Sequence, residues 1–185
     1  MKIIKTFFGG KVKLIKIHRF IDSRGFFFEN FNQSKLKKLK INHSFVQDNF
    51  SYSKKKGVIR GLHFQTPPKA QAKLISIIKG KILDVVVDLR NNSKTYGKYE
   101  KIILNEGDFF NIFIPEGFAH GFSVLKDNTL VLYKTSNFYS SKYEKTINYN
   151  DEYLNIDWEI NEKKTLSLKD RRGIKFKKFK SPFYL

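Results

Sequence analysis

Arg60 and His63 lie three residues apart in a polar stretch between two apolar runs, residues 57–71 with the sequence GVIRGLHFQTPPKAQ. An arginine fork binds phosphate oxygens in pairs, and an imidazole exchanges a proton near neutral pH. Gly61 permits a bend between them, so an extended segment can direct both side chains into one cavity. The pair is therefore either an anion clamp beside a general base, or a surface cation beside a hydrogen-bonded core histidine.

Further side chains able to do chemistry lie later in the chain. Asp84 falls within the apolar run 82–89, where an unpaired carboxylate is costly, so we expect it to support a neighbouring cation or histidine. His120 follows a proline and glycine bend at residues 115–117, which we expect to turn its side chain out of strand register. The polar cluster at residues 47–49 is either a turn or a set of ligand contacts, and its spacing favours a turn.

Short apolar strands must position these groups. Residues 73–78 and 82–89 are typical of a hairpin that turns at Gly80, and further strands are expected at residues 12–17, 95–104, 109–114 and 130–134. Leucines at 36 and 39 after a polar start predict a short amphipathic helix over 32–41. Many short strands with one or two short helices predict a mainly β fold, an antiparallel sandwich or jelly-roll barrel.

Composition limits the class of protein. At 185 residues, with 41% hydrophobic and 16% aromatic content, the chain fits one domain with a substantial core. We expect a soluble, cytoplasmic protein without a membrane partner, because there is no run of eighteen apolar residues and no signal-peptide pattern at the N-terminus. The absence of cysteine excludes disulfides, thiolate metal sites and a cysteine nucleophile.

The net charge of +19 comes from 36 Lys and Arg against 17 Asp and Glu. Such an excess suits a nucleic-acid partner. However, the excess is mostly lysine, in groups such as residues 35–40, 54–56 and 175–180, and the chain lacks a helix-turn-helix, zinc-finger or aromatic RNA-binding motif. We therefore expect no nucleic-acid partner, and long-range attraction of a small anionic ligand instead.

Six motifs occur in a recognisable order: DSRGFFFENF, FVQDNFSYS, GVIRGLHFQTPPKAQAKLI, DVVVDLR, IPEGFAHGF and LYKTSNFY. Together they resemble the dTDP-4-dehydrorhamnose 3,5-epimerase family from about residue 20 to 170. The resemblance implies a cupin-type jelly roll, with a core at about 45–145 and residues 1–44 and 146–185 packed on it. It also implies a homodimer with sites near the subunit interface, no cofactor, and inversion at carbons 3 and 5 of dTDP-4-dehydro-6-deoxy-D-glucose.

The resemblance assigns four catalytic roles. His63 looks like the base that removes a hydrogen next to the ketone, and Asp170 looks like the carboxylate that orients it. Lys73 looks like the cation that faces the developing oxyanion, and Tyr133 like the acid that reprotonates from the opposite ring face. The pairing of His63 with Asp170 requires the C-terminal segment to fold back on the barrel.

The family pattern also marks a nucleotide-sugar binding set, in which arginines suit the diphosphate. The positions are Arg24, Glu29, Gln47, Asp48, Asn49, Arg60, His120, Glu144 and Lys169, with Phe20 and Tyr139 as candidates to stack on the base. The pair Arg171-Arg172 and the lysine-rich tail depart from the family pattern.

Three alternatives remain open. Metal-binding cupins use a His-x-His pair, a glutamate and a distant histidine, but here Gln65 and Gln71 stand where further ligands belong, so we expect no metal. A non-catalytic sugar-binding cupin does not explain why His63, Lys73, Tyr133 and Asp170 occur together. An epimerase that inverts one centre, or acts on another 4-keto sugar, shares all these motifs.

Overall fold

The computed structural model describes residues 1–184, which form thirteen β-strands, two short α-helices and a 3-10 turn. The strands are β1 (Lys2–Phe7), β2 (Val12–Lys16), β3 (Arg19–Asp22), β4 (Gly25–Phe28), β5 (Gln47–Ser53), β6 (Ile59–Gln65), β7 (Lys73–Lys79), β8 (Lys81–Asp88), β9 (Tyr99–Asn105), β10 (Phe110–Ile114), β11 (Phe118–Val124), β12 (Thr129–Thr135) and β13 (Glu144–Thr146). The helices are α1 (Gln33–Lys38) and α2 (Leu168–Arg171), and the 3-10 turn is Phe176–Lys178.

Two antiparallel sheets form a sandwich. The six-stranded sheet has the order β1-β2-β10-β7-β12-β5, and the five-stranded sheet has the order β13-β6-β11-β8-β9. Buried side chains of both sheets meet in one core, among them Ile75 and Val131 from the first sheet and Val86 and Phe122 from the second. The prediction of a mainly β, cupin-type antiparallel jelly roll is therefore confirmed.

The outer faces of the sandwich are covered by the two ends of the chain. Trp158, Phe176 and Phe183 from the C-terminal segment pack on the outer face of the five-stranded sheet. Leu36 of the predicted helix α1 packs against the outer face of the other sheet. The helix begins where Asn32 accepts a hydrogen bond from the Lys35 amide at 3.0 Å, as expected for a polar N-cap. Among residues 1–184, no helix has the length and apolar character needed to cross a membrane.

The predicted hairpin over residues 73–89 is wrong. β7 and β8 follow each other in the chain, but they belong to different sheets and do not pair. Gly80 joins them with a φ of +90°, and a Cβ there would lie 2.1 Å from the Thr129 hydroxyl oxygen. Two apolar runs joined by a glycine look the same in sequence whether they pair or cross between sheets, so the pattern could not separate these outcomes.

Three other local predictions are also corrected. Residues 47–49 form the start of β5 rather than a turn, because each of them pairs with β12. His120 lies within β11 and pairs regularly with β8, although the pairing of β11 with β6 shifts register just after it. Its side chain does face the space between the sheets, as expected, but the proline and glycine bend does not take it out of the strand. The strand expected at residues 95–104 begins at Tyr99, since the Thr95 side chain instead donates a hydrogen bond to the Asp88 carboxylate at 2.6 Å.

Candidate active site

A cavity of about 590 Å³ opens between the two sheets. Arg60 and His63 of β6 both line it, so the bend at Gly61 does direct the two side chains into one space. A smaller recess of about 120 Å³ continues from it, and both spaces are lined by His63, Lys73, Tyr133, Tyr139 and Glu144. The strands that bring these groups together are distant in sequence but adjacent in the two sheets.

His63 is hydrogen-bonded to Asp170 of α2, with 2.5 Å between Nε2 and Oδ1. Bridges from Val58 to Thr165 and from Ile147 to Ile174 fix the chain on both sides of α2. Burial alone would raise the pKa of Asp170, but its hydrogen bond with His63 and the charge of that imidazole outweigh burial and lower the pKa. The Asp170 carboxylate is therefore anionic and able to orient His63.

Lys73 of β7 is buried and donates a hydrogen bond from Nζ to the backbone carbonyl of His63 at 3.2 Å. Burial lowers the pKa of Lys73 to about 8, although the negative charges of Glu144 and Asp84 oppose the shift. The ammonium form still predominates at neutral pH. A desolvated cation in this position strongly stabilises negative charge that develops nearby.

Tyr133 of β12 reaches the cavity from the six-stranded sheet, whereas His63 reaches it from the five-stranded sheet. Burial raises the pKa of the Tyr133 phenol, with the charge of Arg60 acting in the opposite direction. The phenol is therefore protonated at neutral pH and can donate its proton. A molecule bound in the cavity lies between this potential acid and the potential base.

Asp84 of β8 is fully buried and accepts a hydrogen bond from His120 of β11, with 2.7 Å between Oδ2 and Nε2. This agrees with the expectation that Asp84 supports a neighbouring histidine. Burial lowers the pKa of His120, and the Asp84 charge only partly offsets that effect. His120 is therefore neutral at pH 7, with its Nε2 proton directed to Asp84.

Glu144, at the start of β13, links two other cavity groups. Its carboxylate accepts a hydrogen bond from the Tyr139 hydroxyl at 2.8 Å and forms an ion pair with Lys169. Burial alone would raise the pKa of Glu144. The bonds from Lys169 and Tyr139 lower it by more than burial raises it, so the net shift is downward. The carboxylate is charged and holds both partners at the cavity wall.

Arg60 is exposed at the mouth of the cavity, where Nη2 donates to the backbone carbonyl of Tyr52 at 3.1 Å. Gln47 and Asn49 of β5 line the inner recess, and the Gln47 amide donates to the Asn49 side-chain oxygen at 2.8 Å. The cavity therefore has two cations at its opening, Arg60 and Lys169, and neutral polar groups at its inner end.

Four of the predicted binding residues do not line this cavity. Arg24 pairs with Asp22 in the exposed β3–β4 hairpin, and Phe20 of the same hairpin is 58% exposed. The Glu29 carboxylate bonds to Lys35 and Asn32. The fourth, Asp48, lies on the strand that supplies Gln47 and Asn49, but its carboxylate pairs with Lys134 at 2.7 Å.

Metal-ligand geometry is lacking in the described part of the chain, 1–184, where no three or more His, Cys, Asp or Glu side chains converge as a metal site requires. His63 and His120 are opposite each other on adjacent strands, but each imidazole is hydrogen-bonded to its own aspartate. Gln65 and Gln71 donate their amides to backbone carbonyls instead.

Residues 10–178 match the dTDP-4-dehydrorhamnose 3,5-epimerase family. This chain belongs to that family. A Shigella flexneri relative named dTDP-4-dehydrorhamnose 3,5-epimerase is 44% identical over 179 residues, which cover 95% of this chain and 96% of the relative. The resemblance inferred from the six motifs is thereby confirmed.

Solved structures of epimerases agree with the family assignment. A Bacillus anthracis dTDP-4-dehydrorhamnose 3,5-epimerase with TDP and pyrophosphate bound superposes with a TM-score of 0.90 at 44% identity, over 94% of this chain and 98% of that one. The Legionella pneumophila enzyme in complex with dTDP-4-keto-L-rhamnose has a TM-score of 0.83 at 42% identity, over 87% and 85%. A Streptomyces bikiniensis 3'-monoepimerase is more distant, at 26% identity with a TM-score of 0.84, over 94% and 86%.

The sequence of this epimerase-family chain did not reveal every cavity residue. Phe50 and Tyr52 of β5 and Phe122 of β11 line the cavity without having been predicted. Because residues 47–49 were predicted to be a turn, β5 was not predicted as a strand. Its contribution to both the mouth and the recess of the cavity was therefore not predicted either.

Proposed function

We propose that this chain inverts carbons 3 and 5 of dTDP-4-dehydro-6-deoxy-D-glucose, the reaction for which its relatives are named. The observation that supports this most is the placement of His63 and Tyr133 on facing sheets around one cavity. Inversion requires removal of a proton from one side of a carbon and delivery of a proton to the other. A base and an acid on opposite walls meet that requirement.

Proton removal is assigned to His63. Nε2 is bonded to Asp170, which leaves Nδ1 as the acceptor for the C–H proton next to the C4 ketone. As that bond breaks, its electron pair moves to the ketone and forms an enolate with charge on O4. The Lys73 ammonium stabilises this charge, and the loss of solvent around it strengthens the interaction.

Proton delivery is assigned to Tyr133. Its phenol gives a proton to the enolate carbon from the side opposite His63, and the electron pair returns from oxygen to re-form the ketone. His63 then releases its proton to solvent and Tyr133 regains one from solvent, which restores the base and the acid. Repetition at the second carbon, on the other side of the ketone, gives the doubly inverted sugar. Since each proton is acidified by the same carbonyl, we propose that the enzyme needs neither a metal nor an organic cofactor.

Substrate binding is assigned to the remaining cavity groups. Arg60 and Lys169 at the mouth suit the two phosphates, since arginine binds phosphate oxygens in pairs. His120 and Glu144 flank the sugar, Gln47 and Asn49 line the inner recess, and Tyr139 offers an exposed ring for the thymine base. The overall charge of +19 attracts the dianionic diphosphate, which gives the basic surface a use without a nucleic acid.

We also propose that the chain acts as a homodimer in the cytoplasm. The β3–β4 hairpin exposes Phe20, Ile21, Phe26 and Phe27 to solvent, each by more than half. An apolar surface of this kind is typical of a subunit interface. A second subunit would allow Phe20, Arg24, Glu29 and Asp48 to complete a neighbouring site. Analytical ultracentrifugation that finds only monomer at micromolar concentration would refute the dimer.

The second candidate function is inversion of one centre only. The fold and the family match do not separate the two reactions, because the Streptomyces bikiniensis 3'-monoepimerase shares this fold. A double mutant of that enzyme replaces a histidine and a tyrosine at the same spacing as His63 and Tyr133. The higher identity to 3,5-epimerases, 44% against 26%, favours inversion of both centres.

Proton NMR in deuterated water tests the proposal. The purified chain is mixed with dTDP-4-dehydro-6-deoxy-D-glucose, before and after dialysis against a chelator. We expect deuterium at both carbon 3 and carbon 5, with dTDP-4-dehydro-L-rhamnose as product and no loss of rate after dialysis. Deuterium at a single carbon would establish the one-centre reaction, and no exchange at either carbon would refute the proposed function.

A further inference from the structure

Gln65 and Gln71 stand where a metal-binding cupin would have ligands, yet both side chains have a defined structural partner. Gln65 is 3% exposed and lies at the end of β6, while Gln71 precedes β7. Both line the inner recess of the cavity. Their amides are directed at one segment, residues 136–140, which follows β12 and is called here the Tyr139 loop.

The Tyr139 loop is held by successive hydrogen bonds from glutamine side chains. The Gln71 amide donates to the Asn137 carbonyl at 2.7 Å. The Gln65 amide donates to the Phe138 carbonyl at 3.2 Å. The Gln65 side-chain oxygen accepts a hydrogen bond from the Ser140 backbone N–H at 2.6 Å. Backbone groups on both sides of Tyr139 are therefore fixed by these two side chains.

A third glutamine completes the arrangement. The Gln47 oxygen accepts from the Tyr139 backbone N–H at 2.9 Å. Gln65 also donates to the Lys69 carbonyl at 2.6 Å, which ties the Tyr139 loop to the loop that follows β6. The Gln65 amide donates two hydrogen bonds and accepts one without carrying charge. Glutamate lacks the donors and a neutral imidazole has only one, so neither side chain reproduces all three bonds.

The loop needs such support because its two aromatic rings are not packed in the core. Phe138 is 61% exposed and Tyr139 is 56% exposed, so neither ring is held by core packing. The Tyr139 hydroxyl bonds to Glu144, which also pairs with Lys169 at the cavity mouth. Displacement of the loop would therefore disturb both the ring and the cation that face the nucleotide.

We propose that Gln65 and Gln71 are positioning residues that fix the Tyr139 loop for nucleotide binding. The proposal rests on the proposed function only for the identity of the ligand. An ordered loop binds its ligand without an ordering cost at the moment of binding. The two glutamines therefore contribute to the affinity for the nucleotide more than to proton transfer at the sugar.

Three matched substitutions test this proposal: Gln65→Met, Gln71→Met and Gln33→Met. Methionine keeps the length of the side chain and removes both amide functions. Gln33 is the control, because its amide also donates to a backbone carbonyl, that of His43 at 2.9 Å, but outside the cavity. For each protein, amide hydrogen exchange of the Tyr139 loop, calorimetric binding of dTDP, and kcat and KM are measured.

We expect Gln65→Met to increase the exchange rate of the Ser140 amide and to weaken dTDP binding about tenfold, with a matching rise in KM and less than a threefold change in kcat. Gln71→Met should weaken dTDP binding about threefold, since one hydrogen bond is lost, and Gln33→Met should match the unmodified chain. If Gln65→Met does not fold, Gln71→Met decides the question.

Unchanged dTDP affinity in Gln65→Met and Gln71→Met would overturn the proposal, and so would equal losses of kcat and kcat/KM. Unchanged exchange at the Tyr139 loop would also overturn it. Failure of the proposed function gives a different result: the unmodified chain would not bind dTDP or exchange sugar protons, while the amide exchange of the loop would still respond to the substitutions.

Discussion

His63 and Tyr133 line the same cavity from facing sheets, His63 from β6 of the five-stranded sheet and Tyr133 from β12 of the six-stranded sheet. The separation of the two groups is therefore built into the sandwich and does not depend on a flexible loop. On one side, Asp170 is hydrogen-bonded to His63, the proposed base; on the other, burial keeps the Tyr133 phenol protonated. This relationship gives each residue a distinct and separable role.

Replacement of His63 by asparagine should greatly slow proton abstraction and leave the fold intact. Loss of a general base typically lowers a rate by about 10²–10⁴-fold. Deuterium incorporation at carbons 3 and 5 is the direct measurement, with circular dichroism to verify folding. His18→Asn is the control, because His18 is exposed outside the cavity. Retained deuterium exchange in His63→Asn would refute the assignment of the base.

Replacement of Tyr133 by phenylalanine should separate the two half-reactions. His63 can still remove and return a proton on its own side, so we expect deuterium exchange with retention of configuration and a large loss of inverted product. NMR of the sugar distinguishes these results. Tyr99→Phe is a suitable control, since the Tyr99 hydroxyl bonds to a backbone carbonyl of the C-terminal segment, outside the cavity. Unchanged inversion in Tyr133→Phe would mean that another group is the acid.

Replacement of Asp170 by asparagine should lower kcat while KM changes little. The amide preserves the shape of the side chain but not the charge that orients His63 and stabilises the imidazolium, so a loss of about 10²–10⁴-fold in kcat is expected. Asp157→Asn, at an exposed pair with Lys101, should have no effect. Activity near that of the unmodified chain in Asp170→Asn would show that His63 is oriented by other means.

The sequence predicted the fold class and many of the residues that line the cavity, and the family resemblance also implied the contact between His63 and Asp170. Local patterns alone did not predict contacts between distant segments. The apolar alternation and turn residues were enough for an antiparallel jelly roll, and the family motifs located His63 and Lys73. The pairing of His63 with Asp170 spans most of the chain and depends on how the C-terminal segment crosses the five-stranded sheet. No local pattern encodes that crossing.

The errors have a common physical origin. Residues 47–49 are polar types that favour turns, yet pairing with β12 holds them in a strand, so tertiary hydrogen bonding overrode local preference. Gly80 was assigned to a hairpin, although it joins two sheets. Gln65 and Gln71 were interpreted only as absent metal ligands, because their partners are backbone groups that the sequence does not show.

Replacement of Gly61 by alanine should destabilise the fold at the strand that carries His63. Gly61 has a φ of +124°, and a Cβ there would lie 2.5 Å from the Gly121 Cα, where backbone cannot move aside easily. We expect a loss of about 2–4 kcal/mol in the free energy of unfolding, from overpacking and backbone strain. Gly107→Ala, with φ +83° and open space around it, should cost only about 1 kcal/mol. Urea denaturation measures both, and equal losses would refute a special packing role for Gly61.

Activity should fall as the pH rises through about 8, because burial lowers the pKa of Lys73 to about 8. The ammonium that stabilises the enolate is fully present below this pH and is lost above it, so kcat/KM should show an alkaline limb there.

The Tyr133 phenol does not explain such a limb, since its pKa is raised from the ordinary value near 10. Burial is the main cause of the lowered pKa of Lys73; Glu144 and Asp84 oppose this shift and Lys169 adds to it. Lys73→Met should be nearly inactive at every pH. Lys79→Met, at the exposed end of the same strand, should retain both the rate and the limb. A pH profile of the unmodified chain that stays flat from 7 to 10 would contradict the role assigned to Lys73.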